Sequence, residues 1–215
     1  MDRYVNFSDR NFFSINNLYG DFFSEYSQGI KHVKWNNFKW KGMTLMKDPM
    51  SLSIYQQLIQ DLLPKTIIEF GTYDGGSASW MNDICKSLDI ETKIYTFDKC
   101  FERVNKNLDE NIKFFNLDNY NIKEFIKQNV KIFEGMVHPI LVIEDSHENF
   151  VEVIEEIDIF LSCGDYLIVE DTIDECKHNA LSLFLENKKY KVDVKYCDFW
   201  GYNNTWNYNS FLVKE

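Results

Sequence analysis

The stretch Thr66–Ser77, TIIEFGTYDGGS, decides the fold class of this 215-residue chain. Its first five residues are β-branched or aromatic except for one acid, which is typical of a strand buried in a parallel sheet. Gly71, Gly75 and Gly76 then allow a sharp turn and a close approach of the backbone to a ligand. The stretch therefore predicts a strand, a glycine-rich loop and the start of a helix.

The spacing of these glycines indicates which ligand the loop would bind. A dinucleotide fingerprint has the form G-x-G-x-x-G, whereas this loop has the form G-x-x-x-G-G with an acid two residues before it. A carboxylate beside backbone amides suits the zwitterionic amino acid of S-adenosylmethionine better than it suits phosphates. An ordinary strand-to-helix turn would show the same pattern. The residues expected to contact this cofactor are Glu69, Gly71, Thr72, Tyr73, Gly75 and Ser77.

Strand and helix patterns alternate along the chain beyond residue 46. Such alternation predicts an α/β, Rossmann-like fold, with a mostly parallel twisted sheet and helices on both faces. Two aromatic-rich strands, at 190–199 and 206–213, are expected to close the chain as an antiparallel hairpin. We expect residues 1–45 to form an aromatic N-terminal cap segment and residues 46–215 to form the Rossmann-like domain.

Charge and composition exclude several classes of partner. The formal net charge of −11 opposes binding to nucleic acid or to an anionic membrane. No stretch approaches the roughly 20 apolar residues that a membrane span needs, and five scattered cysteines without C-x-x-C spacing indicate neither a disulfide framework nor a zinc site. We therefore expect a soluble, cytoplasmic protein that acts on a small molecule, with homo-oligomerisation left open.

Acidic side chains follow most of the predicted strands. In doubly wound sheets, ligands bind beyond the carboxyl ends of the strands, so these acids should converge on one cleft. Asp98, after the second strand, is placed to accept hydrogen bonds from ribose hydroxyls. Asp118, after the third strand, could contact an adenine amino group. Both acids are also compatible with solvated strand ends or ordinary turns.

The strongest cluster follows the next two strands, in Glu144-Asp145-Ser146-His147 and Glu170-Asp171. Four carboxylates at one edge repel one another unless a cation neutralises them or one takes up a proton. A hard divalent ion such as Mg²⁺, which prefers oxygen ligands, would resolve this repulsion. The histidine could then take a proton from a hydroxyl whose acidity the metal has raised, although a lone histidine is often structural or merely exposed.

Four motifs along the chain resemble those of a known enzyme family. They are Met46–Pro49 (MKDP), Leu63–Thr72 (LPKTIIEFGT), Val142–His147 (VIEDSH) and Gly164–Thr172 (GDYLIVEDT). In type and order they resemble the metal-dependent S-adenosylmethionine O-methyltransferases often labelled cephalosporin hydroxylase or rhamnosyl O-methyltransferase. That family also includes macrolide-sugar O-methyltransferases. The resemblance covers most of the chain from about residue 40.

The resemblance implies a Rossmann-like class I methyltransferase that methylates a hydroxyl of a sugar or sugar-like small molecule. It implies that Asp145, Glu170 and Asp171 hold Mg²⁺ and that His147 is the general base. The family usually places its metal acid three residues before the histidine. In this chain Asp145 is two residues before His147 and Glu144 is three before it, so Glu144 remains an alternative ligand to Asp145.

Two other functions stay open at the level of sequence. A non-haem iron oxygenase is suggested by His147 among carboxylates, but the usual facial triad takes two histidines and one carboxylate. A catalytically inactive cofactor fold could instead serve as a binding module. For an enzyme, the aromatic N-terminal segment and the stretch Trp200–Trp206 are candidate walls for the acceptor, because aromatic faces stack on sugar rings. Ordinary packing is the alternative role of these aromatic residues.

Overall fold

This computed structural model describes residues 2–13 and 38–215. The strands in these ranges are β1 (Tyr4–Val5), β2 (Lys39–Trp40), β3 (Met43–Thr44), β4 (Thr66–Phe70), β5 (Lys93–Asp98), β6 (Ile112–Asn116), β7 (Ile140–Glu144), β8 (Tyr166–Val169), β9 (Tyr190–Asp193) and β10 (Phe211–Lys214). The α-helices are α1 (Pro49–Leu62), α2 (Gly76–Ser87), α3 (Ile122–Glu134), α4 (Phe150–Asp158), α5 (Glu175–Leu185) and α6 (Val194–Cys197).

The central sheet confirms the predicted α/β class. Within the described ranges, its strands follow the order β1-β9-β10-β8-β7-β4-β5-β6. The five strands from β8 to β6 in this order are mutually parallel, and helices connect most of them along the chain. β10 pairs antiparallel with both β8 and β9, and β1 adds an antiparallel edge. The short strands β2 and β3 form a separate hairpin.

The C-terminal antiparallel pair is present, but the expected bounds of its strands are wrong. The strands predicted at 190–199 and 206–213 are only four residues each, as β9 and β10. β9 ends because the Asp193 carboxylate accepts a hydrogen bond from the Lys195 amide and caps α6. Residues 198–210, hereafter the C-terminal loop, then form an irregular segment between α6 and β10.

The register of the parallel strands positions the functional end of the sheet. β4, β7 and β8 are buried along their whole length, which explains their continuous apolar character. Beyond the strand ends, the Asp145 amide donates to Phe70 O at 2.8 Å, and the Glu170 amide donates to Glu144 O at 2.9 Å. The backbone ladder therefore brings the acids that follow β7 and β8 to the same edge as the glycine loop.

Residues 2–13 pack against the C-terminal part of the chain. Arg10 donates to both carboxylate oxygens of Asp198 at 2.6 and 2.7 Å, and β1 pairs with β9. Much of the expected cap segment lies outside the described residues, so the division at residue 45 stays a prediction.

The five cysteines carry free thiols. None of the helices in the described ranges combines the length and apolar composition that a bilayer crossing needs.

Substitution of Gly76 tests the packing of α2 against the β2–β3 hairpin. A Cβ atom at this position would lie 2.0 Å from the carbonyl oxygen of Thr44, which is backbone and yields only at a high cost. We expect Gly76→Ala to lower the free energy of unfolding by about 3 kcal/mol, measured by chemical denaturation. Gly164→Ala is the control, since its Cβ would meet nothing within 4 Å. In the control, the free energy of unfolding should fall by only about 1–2 kcal/mol, which is the cost of a positive φ for alanine. Equal decreases in the two variants would contradict the steric argument.

Candidate functional site

A cavity of about 710 Å³ lies at the carboxyl ends of the parallel strands. Its wall includes residues that directly follow or end four of these strands, namely Gly71, Asp98, Asp145 and Glu170. This volume is within the range of small-molecule sites, about 300–1,000 Å³. The acids that are separate in the sequence therefore meet at one cavity, as the rule for parallel sheets predicts.

Three side chains in the wall of this cavity form a compact group. One ligand atom each from Asp145, His147 and Asp171 lies within 4.8 Å of the others. His147 Nε2 is 3.3 Å from Asp171 Oδ2 and 3.7 Å from Asp145 Oδ1. His147 and Asp171 both have left-handed backbone, with φ of 62° and 58°. Such strained residues cluster at functional sites, because the surrounding structure must hold them in place.

A lysine ammonium bridges Asp145 of this group and the neighbouring acid Glu170. Lys47 Nζ lies 2.5 Å from Asp145 Oδ2 and 2.7 Å from Glu170 Oε2, and the lysine side chain is only 7% exposed. Burial opposes the charge, but the two carboxylates outweigh it and raise the pKa of Lys47, so the ammonium stays protonated. The Tyr55 hydroxyl also donates to Glu170. Sequence reasoning placed Lys47 in a family motif without giving it a role at the site, and it did not single out Tyr55 for such a role.

Glu144 and Asp145 are neighbours in sequence but face different surroundings. Glu144 is fully buried, and its Oε1 accepts hydrogen bonds from the Ser146 amide at 3.0 Å and the Ser146 hydroxyl at 2.5 Å. Its Oε2 lies 2.9 Å from the ammonium of Lys177 on α5. Successive side chains at a strand end point to opposite sides. The expected group of four carboxylates is therefore three at the cavity, since Lys177 neutralises the fourth elsewhere.

The acid of the glycine-rich stretch supports the loop from inside the protein. Glu69 is fully buried and accepts hydrogen bonds from the hydroxyls of Ser77 and Thr96. The Thr96 hydroxyl in turn lies 2.6 Å from that of Thr72. Burial raises the pKa of Glu69, although the nearby charge of Lys47 opposes this shift. The wall of the main cavity thus does not include Glu69, Thr72 or Ser77. Their hydrogen bonds instead fix the shape of the glycine loop.

Gly71 and Tyr73 bring the loop itself to the cavity wall. A Cβ atom on residue 71 would lie 2.5 Å from the carbonyl oxygen of Asp145, and its φ is 106°, so only glycine fits without strain. The Asp98 carboxylate accepts the Tyr73 amide on one oxygen and the Cys100 amide on the other, each at 2.8 Å. Gly75 caps α2 with a φ of 99° and is not part of the wall.

Residues 32–191 match the family model described as Rhamnosyl O-methyltransferase/CmcI. The chain belongs to this family. The rhamnosyl O-methyltransferase of Mycobacterium tuberculosis is 27% identical over 148 residues, which cover 66% of this chain and 59% of that protein. The Mycobacterium leprae protein of the same name is 28% identical over 148 residues, covering 64% and 62%. The chain spans about three fifths of the length of the curated relatives it matches.

Solved structures of CmcI have a similar fold. An apo structure has a TM-score of 0.70 at 26% identity, covering 84% of this chain and 77% of the CmcI chain. A structure with Mg and SAM gives the same values, and one with SAH has a TM-score of 0.66 at 25% identity, covering 85% and 84%. The family that the sequence motifs indicated is therefore confirmed.

Not every site residue predicted for this Rhamnosyl O-methyltransferase/CmcI family member reaches the cavity. Asp118 is exposed, and its carboxylate accepts the Tyr120 amide at 3.1 Å as a helix cap. Its neighbours Leu117 and Asn119 line the cavity in its place. A turn with Asp at its start shows the same sequence pattern as a strand-end ligand, so local sequence does not distinguish the two arrangements.

Two cationic side chains that sequence reasoning missed also line the cavity of this family member. Arg103 lies over the ring of Tyr73, with 4.6 Å from its Cζ to the ring centroid. Lys99 and Glu148 form an exposed ion pair between two loops, with 2.5 Å from Nζ to Oε1. Lys99 and Arg103 both follow β5, whereas Glu148 follows β7, and nothing in the local sequence indicates that the three meet at one wall.

In this family member, the stability of the metal-free protein should depend on the ionisation of Glu170. Burial and the charge of Asp145 raise the pKa of Glu170 from 4.5 to about 7. Because the pKa is higher in the folded state, the folded protein holds the Glu170 proton more tightly than the unfolded chain does. This contribution to the free energy of unfolding is complete below about pH 4.5 and is lost as the pH rises through 7. Glu170→Gln should remove about 2 kcal/mol of this decline between pH 5 and 8, measured by chemical denaturation in chelator. Glu148→Gln, at an exposed ion pair, is the control. Parallel pH profiles for wild type and Glu170→Gln would contradict the assignment.

Proposed function

We propose that this protein transfers a methyl group from S-adenosylmethionine to a hydroxyl group of a sugar or sugar-like small molecule, with Mg²⁺ at the carboxylate cluster. The observation that carries this proposal is that one cavity has both the glycine loop and the group formed by Asp145, His147 and Asp171 in its wall. Membership of the Rhamnosyl O-methyltransferase/CmcI family supports it, as do the CmcI structures with Mg, SAM and SAH.

The proposed cofactor site runs from the glycine loop to the end of β5. Gly71 and Tyr73 would accommodate the amino-acid part, and Asp98 would bind the ribose. Each carboxylate oxygen of Asp98 accepts one backbone amide, which leaves further lone pairs for ribose hydroxyls. The cavity wall has more carboxylates than basic side chains, which favours a ligand with a cationic sulfonium group.

The carboxylate donor set in the cavity wall fits a hard divalent cation. Asp145, Glu170 and Asp171 would provide the oxygen ligands. Three carboxylates with the ammonium of Lys47 leave a formal charge that one divalent ion balances. A non-haem iron site is less suitable, because in the described part of the chain the cluster contains one imidazole where the facial triad uses two.

The arrangement of the side chains suits proton removal from an acceptor hydroxyl. When bound, Mg²⁺ would lower the pKa of that hydroxyl, and S-adenosylmethionine would supply the electrophilic methyl group. His147 Nε2 faces the same space as the oxygens of Asp145 and Asp171, so it could take the hydroxyl proton as the oxygen attacks. Asp171, 3.3 Å away, would stabilise the resulting imidazolium. The remaining contribution of the protein is alignment of the two reactants.

Titration calorimetry with Mg²⁺ tests which acid after β7 is the metal ligand. We expect Asp145→Asn to weaken Mg²⁺ binding at least about tenfold, because it removes a charged ligand at the cavity. Glu144→Gln should leave the Mg²⁺ affinity unchanged, since Glu144 is paired with Lys177 away from the cluster. Circular dichroism would show that both variants are folded. The reverse order of affinities would make Glu144 the ligand.

Substitution of His147 tests the general base. His147→Ala should lower turnover by about 10²- to 10⁴-fold, with Mg²⁺ and S-adenosylmethionine affinities nearly intact. Added imidazole should restore part of the rate, because it can occupy the vacated space and accept the proton. Release of the demethylated cofactor in the presence of neutral methyl glycosides is the measurement. His138→Ala is a matched control, since His138 contacts Asp165 away from the cavity wall. Wild-type turnover by His147→Ala would exclude this role.

A further inference from the structure

One aromatic residue of the cavity wall lies beside the carboxylate group and has no part in the cofactor or metal sites proposed above. Trp206 lines the cavity together with its neighbour Asn207. The Ile173 amide donates to the Trp206 carbonyl at 2.9 Å, and the Asn207 side chain accepts the Asp171 amide at 2.9 Å. These two hydrogen bonds attach Trp206 to the turn that carries Asp171.

We propose that Trp206 is the platform on which the sugar ring of the acceptor stacks, a role that rests on the proposed function. His147 lies 3.3 Å from Asp171, and the Asp171 amide is bonded to Asn207, the residue after Trp206. A sugar whose hydroxyl reaches His147 would therefore place its ring near the part of the wall that Trp206 forms. Sugar rings present apolar C–H faces and polar hydroxyl edges. An indole face suits the former, and the amide of Asn207 and nearby carboxylates suit the latter.

Arg10 holds in place the C-terminal loop that carries Trp206. Arg10, whose side chain is 5% exposed, donates to Asp198 at one side of the C-terminal loop. It also donates to Asn203 at 3.0 Å and to Asn209 at 2.7 Å, and both asparagines are fully buried. The loop is therefore fixed on either side of Trp206. A preorganised wall loses less conformational entropy when a ligand binds, which favours a binding role for this segment.

Trp200 provides a matched comparison within the same loop. It is 45% exposed, and its indole Nε1–H donates to the Ser53 hydroxyl at 3.2 Å. Unlike Trp206, it is not part of the cavity wall. The sequence suggested the whole stretch Trp200–Trp206 as an acceptor wall, and the structure assigns the cavity position to the second tryptophan only.

Steady-state kinetics with neutral methyl glycosides, beginning with methyl α-L-rhamnopyranoside, tests the platform. Neutral probes are chosen because the carboxylates of Asp171 and Asp174 in the wall would repel phosphate groups. Trp206→Ala should raise the acceptor KM about tenfold, the effect of losing one stacking contact. Trp206→Phe should stay within about threefold of wild type, since it keeps an aromatic face. Trp200→Ala should leave KM unchanged.

Calorimetry with S-adenosylhomocysteine and with Mg²⁺ completes the test, and both affinities should be the same in all four proteins. Equal KM values for wild type, Trp206→Ala and Trp206→Phe would overturn the platform and leave the proposed function standing. A Trp206→Ala variant that loses Mg²⁺ or S-adenosylhomocysteine affinity as well would show a structural role instead. If wild type turns over no neutral glycoside, the proposed sugar acceptor is wrong, and the platform with it. If the alanine variant fails to fold, Trp206→Leu replaces it, because leucine keeps an apolar side chain of moderate size but has no aromatic face, and it should also raise the acceptor KM about tenfold.

Discussion

The bridge from Lys47 to Asp145 and Glu170 is the interaction on which the site depends. Parallel strands that pair in register bring the acids after β7 and β8 together, whatever their charges. A buried carboxylate beside a second, half-buried one would cost several kcal/mol of stability without a cation. Lys47 supplies that cation from the segment before α1, so the site is complete only when this segment packs on the sheet edge. The remaining negative charge is what gives the cluster its capacity for a divalent ion.

Acids of the same chemical type have different tasks in this fold, and their partners determine which task each has. Glu69 and Glu144 are fully buried, and they accept hydrogen bonds from side-chain hydroxyls or pair with Lys177. They stabilise the glycine loop and the end of β7. Asp145 and Asp171 face the cavity, where their remaining lone pairs are available to a ligand. Position in or outside the cavity wall therefore separates the acids of the site from the structural acids.

The C-terminal loop shows how an irregular segment becomes a rigid wall. Its asparagines replace the missing strand ladder with side-chain hydrogen bonds. Asn203 accepts from Arg10 and from the Asn209 amide, and Asn207 accepts from the Asp171 amide. These bonds connect residues near both ends of the described chain to the strand end that carries the cluster. The segment is thus part of the site, although its first two residues and its last five were predicted to belong to the two strands of a hairpin.

The sequence by itself determined the alternation of strands and helices, the glycine loop and the acids at the strand ends. These features follow from local periodicity and from the rule that parallel strands end at one edge. Only the tertiary structure decided that Lys47 bridges two acids, that Glu144 faces away, that Asp118 caps a helix and that Trp206 rather than Trp200 reaches the cavity. Except for Asp118, whose cap is local, each of these outcomes depends on partners distant in the sequence, as Lys47 and Asp145 are. No local pattern records which distant partners will meet, because packing of the whole sheet and its connections selects them.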